Sequence, residues 1–280
     1  RWNLVTGVQT CALPISEVLQ RNLSRGFKNL KIFEAGRVFI PGERQGSASI
    51  PPLGERPSDE VLADLNAGIP EQPVYFSGLF AGAEHEPMPG TQARAYDWRD
   101  ALDAARLIAD VLGVEIVIAQ GTHQAFHPGR TAQLRTQDGQ TIGYAGELHP
   151  KLLQTENLPE RTCAFEVNFT ELFASRSGVP QASPIYGYPA ATQDVALVVD
   201  EDIPASEVAQ ALRDGAGELL EDLRVFDDYR GQGVESGKKS LAFAMRFRAP
   251  DRTLTAEEAS ASREAAVAVA AERFGAVARV

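Results

Sequence analysis

The chain has 280 residues and a formal net charge of −11, with 44% hydrophobic and 23% charged residues. Length and composition fit one or two ordinary globular domains, and the longest apolar runs are far short of a membrane span. The acidic balance excludes nucleic-acid binding spread over the whole surface, so any RNA contact must be local and geometric. The two cysteines, Cys11 and Cys163, lack CxxC spacing, and the histidines at 85, 123, 127 and 149 are scattered. Neither a disulfide framework nor a zinc site is expected, and a reducing, cytoplasmic setting fits.

Residues 1–16, RWNLVTGVQTCALPIS, show no period, cap or strand pattern. Arg1 is their only cation and no apolar run reaches signal-peptide length. The stretch Val5 to Ile15 back-translates to an oligonucleotide that resembles a common sequencing adapter. Residues 1–16 are therefore set apart as an artefact, with folding expected from Glu17 and the true chain truncated upstream of it.

From Glu17 the pattern is α+β. EVLQRNLSRG, 17–26, is the end of a helix stopped by Gly26. LKIFEAGRVFI, 30–40, is a strand pair or a bulged strand, with Gly36 at the bulge or at a close backbone approach. Residues 41–72 are a surface loop with a helical turn at Asp59 to Leu65, and Val74 to Gly82 is a buried strand. Trp98 to Leu112 is a helix on the spacing of Leu102, Ala105, Ile108 and Leu112, with Asp97 as N-cap and Gly113 as its stop. Glu115 to Gln120 is a strand. Thr131 to Gly146 is a hairpin turned on Asp138-Gly139. A short helix opened by Pro150, a strand at Arg161 to Asn168 and a short helix at Thr170 to Ala174 complete a first domain, 17–178.

A linker at 176–184 leads to a second domain, 183–280. Its order is strand (194–200), helix (204–215), strand (220–230), strand (238–249), helix to Phe274 and a last strand at 276–280. Thr255 and Glu258 form a capping box at the head of the second helix, and Gly275 ends it. The order β-α-β-β-α-β is the ferredoxin-like arrangement, with both helices on one sheet face and the other face open.

The strand from Lys238 alternates cleanly. Leu241, Phe243, Met245 and Phe247 should face the helices, and Ser240, Ala242, Ala244, Arg246 and Arg248 the open side. Residues 224–252 carry seven Lys/Arg against four Asp/Glu, although 183–280 as a whole has eleven against seventeen. Arg230, Lys238, Lys239, Arg246 and Arg248 are the candidate RNA contacts: small side chains beside arginines let a nucleic-acid backbone approach closely. An ordinary solvated sheet face fits the same charges. Aromatics for stacking are limited to Phe226 or Tyr229, whichever points outward, and Tyr186 and Tyr188.

The chain contains no Walker phosphate loop, no GxSxG and no HExxH. His127 in AFHPGRTA and His149 in GELHP are either a catalytic or metal pair or structural histidines satisfied by backbone groups; each precedes a proline, which favours the structural role. Arg130, beside His127, is either part of such a site or equally a structural ion-pair partner. Arg37 is either a phosphate-reaching arginine or, as preferred, the partner of Glu34 or another acid.

YPAATQDVALVVDEDIP (188–204), FDDYRGQGVESGKKSLAFAMRF (226–247) and RTLTAEE (252–258) resemble the ferredoxin-fold anticodon-binding domain that closes the beta subunits of bacterial phenylalanyl-tRNA synthetases. EVLQRNLSRG, IFEAGRVF, AFHPGRTA and GELHP resemble the core of the same subunits, a class II synthetase-like antiparallel-sheet fold. The resemblance implies a non-catalytic piece of a heterotetrameric ligase. An alpha subunit partner carries aminoacylation, ATP and Mg²⁺ serve the whole enzyme with no cofactor on this piece, and phenylalanine tRNA is bound through its anticodon region. The family pattern has arginine where Gln193 stands, which leaves that position without a role. The alternative is a stand-alone RNA-binding or structural α+β module. A single-chain synthetase is disfavoured by the missing phosphate-handling residues. Residues 17–178 favour a subunit, because a free-standing binder would not need them.

Overall fold

The computed structural model describes residues 12–40, 50–51, 53–176, 178, 182 and 187–279. The chain divides into two compact units, 1–181 and 182–280, each with its own core.

The first unit opens with helix α1 (Ala12–Ser24), which crosses the start expected at Glu17. Ile15 and Ser16 are buried, and Ile15 packs with Leu19, Leu79 and Leu148. Ile15 and Ser16 therefore pack within this unit although they lie in the stretch set apart as 1–16; the expectation for 1–11 lies outside the described residues. Six strands follow in the order β1-β2-β6-β5-β4-β3, every neighbouring pair antiparallel. They are β1 (Leu30–Arg37), β2 (Val74–Ala81), β3 (Val117–Gln120), β4 (Phe126–Arg135), β5 (Thr141–Leu148) and β6 (Cys163–Asn168). β1 is a single strand that runs through Gly36 without a bulge. Helices α2 (Asp59–Ala67), α3 (Trp98–Leu112), α4 (Pro150–Thr155) and α5 (Phe169–Ala174) connect them.

Alternation along the strands builds two cores. Leu79 and Ala164 join the α1 side, while Phe80 and Phe165 join the α3 side. The buried stripe of α3 is Ala101, Ala105 and Ala109, with Leu102, Ile108 and Leu112 at its flanks. Alanines at that spacing let the helix axis lie close to the sheet, so the larger residues splay to either side. Asp97 and Asp100 form a capping box, and Gly113 closes the helix at φ 67°. Among the described residues no helix is long and apolar enough to cross a membrane.

The second unit holds β7 (Ala191–Asp200), α6 (Ala205–Ala216), β8 (Leu220–Tyr229), β9 (Lys238–Phe247), α7 (Ala256–Phe274) and β10 (Val277–Ala278). The sheet order is β10-β7-β9-β8, which with this connectivity is the ferredoxin-like arrangement. Val195, Leu197, Val199, Leu241, Phe243, Met245 and Phe247 meet Val208, Leu212, Ala259, Ala266 and Ala270 in one core. Gly215 lets the two helices touch: a Cβ there would stand 2.7 Å from the Ala266 Cα. The capping box of Thr255 and Glu258 is present, and Gly275 ends α7 at φ 62°.

Candidate nucleic-acid interface

Register defines the face turned away from the helices. Arg246, Ala244, Ala242 and Ser240 of β9 pair with Thr192, Asp194, Ala196 and Val198 of β7 on one side. On the other they pair with Asp222, Arg224, Asp227 and Tyr229 of β8. Directly paired residues share a face. Its middle is therefore small-walled, with Ala196, Ala242 and Ala244, and Tyr229 stands at one end. Tyr229 is the aromatic that register places outward, opposite Ser240. The Arg279 guanidinium lies 5.5 Å from its ring centroid. Phe226 sits in a β-bulge between Val225 and Asp227 and is exposed.

The five candidate cations do not form one track. Arg246 does lie on the open face, but its Nε is 2.8 Å from Glu221. Arg248, one residue past the strand, lies 3.0 Å from the other oxygen of Glu221 and also donates to the Tyr188 carbonyl. At the far end of β9, Lys238 pairs with Glu235 at 3.3 Å, and Arg230 pairs with Glu201 at 2.9 Å and Asp228 at 2.8 Å. Desolvation opposes the Arg230 charge, but hydrogen bonds and charge from those two acids outweigh it and raise its pKa.

Lys239 overturns its expected place on the RNA-facing surface. It shares the parity of Leu241, is only 5% exposed, and its Nζ donates to the Glu201 carbonyl at 2.9 Å. An ammonium on the core side must find an acceptor, and the turn after β7 supplies one.

Two cations passed over in the sequence are better placed. Arg224 is exposed on the open face opposite Ala244, without a hydrogen-bond or ion-pair partner among the described residues. Arg279 is held by Tyr229. Arg224 was legible as the neighbour of a basic segment, but its pairing with Ala244 depends on the bulges in β8. Gln193, where the resembled family has arginine, faces the helices and donates to Ser260 at 2.9 Å.

In the first unit the histidines serve the backbone. His127 Nδ1 accepts from the Gly129 amide and His149 Nδ1 from the Lys151 amide, each at 3.1 Å. Arg130 is an ion-pair partner, of Glu147. Arg37 does not pair with Glu34: odd and even positions of β1 point to opposite faces, and Arg37 has no ion pair among the described residues.

The family described as phenylalanyl tRNA synthetase beta chain CLM domain matches residues 10–169, and the ferredoxin-fold anticodon binding domain matches residues 187–279. The chain belongs to the phenylalanyl-tRNA synthetase beta chain family. Its ferredoxin-like unit coincides with the second match. Curated relatives named phenylalanine–tRNA ligase beta subunit include that of Streptomyces avermitilis, 48% identical over 97% of this chain and 33% of the relative. That of Leifsonia xyli is 47% identical over 97% of this chain and 32% of the relative. The chain thus spans about a third of the length of the beta subunits it matches. A solved pyrrolysyl-tRNA synthetase from Desulfitobacterium hafniense overlaps 61% of this chain and 50% of its own at 16% identity and a TM-score of 0.38, too slight to bear on function.

Proposed function

We propose that the chain is the C-terminal part of the beta subunit of a phenylalanine–tRNA ligase, acting without chemistry of its own. Its second unit binds the anticodon region of phenylalanine tRNA on the open sheet face, and its first unit supports a catalytic alpha subunit in the cytoplasm. ATP and Mg²⁺ belong to the whole enzyme.

The observation that carries the RNA reading is the open face itself. Ala196, Ala242 and Ala244 leave room for a base or backbone, Tyr229 offers a ring for stacking, and Arg224 offers a guanidinium with no ion-pair partner among the described residues. Stacking on an aromatic contributes about 1–3 kcal/mol per base. For the partner, the first unit exposes Phe33 of β1 and Leu107 of α3, which line one pocket, with Val111 one turn further along α3. Apolar residues so grouped on a protein surface fit a subunit contact.

The test is tRNA binding by the 280-residue chain assembled with an alpha subunit. Tyr229→Ala and Arg224→Ala should each weaken binding of phenylalanine tRNA by about five- to a hundredfold. Parental affinity in the double variant would overturn the open-face reading.

A further inference from the structure

Among the described residues, two that are not glycine adopt a left-handed backbone, Asn157 at φ 47° and Arg161 at φ 62°. Both line one cavity of about 810 Å³ in the first unit. Such conformations persist only where the surroundings over-determine them, and they gather at ligand sites.

The cavity is built around a buried carboxylate. Glu147, on β5, is 2% exposed. One of its oxygens takes Arg130 from β4, and the other takes Arg161 at 3.1 Å from the turn that follows α4. A guanidinium carries five N–H donors. Each arginine gives one of them to Glu147 and remains more than a third exposed. The carboxylate thereby holds two like charges side by side that would otherwise repel. It also points each planar fork in a fixed direction, the arrangement that suits an oxyanion. His127 joins them at the wall. Its Nδ1 accepts from Gly129, so in the neutral ring Nε2 carries the proton and is a third donor. Leu148, Pro150, Leu153 and Leu158 supply the apolar part of the lining. Glu160 also lines the cavity, so its lining arginines and acids balance. Binding must then come from directed N–H bonds more than from net field, which favours a compact oxyanion over an extended polyanion.

We propose that this cavity binds the phosphate group of a small organic phosphate. Arg130, Arg161 and His127 are the donors, and the organic part rests on the apolar lining.

The test uses the full 280-residue chain and isothermal titration with AMP, inorganic pyrophosphate and adenosine. AMP and pyrophosphate should bind and adenosine should not. Glycine adopts φ near +60° freely, so Arg161→Gly removes the donor without straining the turn and should weaken AMP binding about tenfold or more. Arg161→Lys keeps a charge for Glu147 but loses the fork, and should fall between the two. Circular dichroism of each variant should match the parent. Three outcomes overturn the proposal: no binding of AMP or pyrophosphate by the parent, parental affinity in a folded Arg161→Gly variant, or a site that responds to tRNA alone.

Discussion

Glu221 and Arg246 face each other across β8 and β9 at 2.8 Å, and the second oxygen of Glu221 holds Arg248 at 3.0 Å. One carboxylate thus occupies the two arginines that the sequence offers most openly to RNA. Releasing them should help binding. Glu221→Gln is expected to tighten tRNA binding and to steepen its salt dependence, by up to about one unit of log–log slope for each phosphate newly met. Stability should fall by no more than about 1 kcal/mol, the usual range for an ion pair at a protein surface. Filter binding between 50 and 300 mM salt, roughly the range over which phosphate contacts are lost, checks this. An unchanged slope would mean that neither arginine reaches phosphate.

Lys239 behaves in the opposite way. Its buried ammonium serves the Glu201 carbonyl, and Arg230 holds the carboxylate of the same residue. Lys239→Met should cost about 1–3 kcal/mol of stability, as expected for a hydrogen bond to a charged group. The salt slope of tRNA binding should not move. Calorimetry and the same salt series separate the two effects.

Glu166 links stability to pH. In the sheet register it lies between Ser77 and Tyr144, and neither its Oε2 nor the Ser77 Oγ has a hydrogen-bond partner among the described residues. Burial pushes the Glu166 carboxyl up to about 7 from 4.5. Between those values the folded chain keeps a proton that the unfolded chain releases, so this residue's effect on stability worsens as pH rises through the window and levels off above it. The full cost is about 3 kcal/mol. Glu166→Gln should therefore gain on the parent from pH 4.5 to about pH 7 and hold that margin at pH 8. Urea unfolding followed by tryptophan fluorescence reports on this unit, since Trp98 opens α3 within it and residues 182–280 contain no tryptophan. A difference that does not vary with pH would show that Glu166 is not the source.

Gly215 sets helix propensity against packing. Inside α6, glycine should yield about 1 kcal/mol to alanine on propensity alone. A Cβ would, however, meet the Ala266 Cα at 2.7 Å and the Ala265 carbonyl at 2.8 Å. Backbone cannot swing aside as a side chain can. Gly215→Ala should destabilise the second unit by about 1–3 kcal/mol. A rise in melting temperature would mean that α6 and α7 separate more easily than the core suggests.

Local chemistry is where the sequence sufficed. Capping at Asp97 and Thr255, the stops at Gly113 and Gly275, and the β-α-β-β-α-β order all rest on interactions within a few residues, so they were readable in one dimension. The alternation of Leu241, Phe243, Met245 and Phe247 likewise placed the core, and it also carried the correct place of Lys239, whose odd number puts it inward. Only the tertiary structure decided which acid meets which base. Glu221 reaches Arg246 and Arg248 across a strand pair, Glu201 reaches Arg230 from 29 residues away, and bulges in β8 bring Arg224 opposite Ala244. The same holds for Ile15, whose burial comes from a sheet assembled far along the chain. Local alternation fixes which face a residue takes, but which distant residue stands opposite depends on how the strands pair and where β8 bulges, and those are settled only when the whole unit packs.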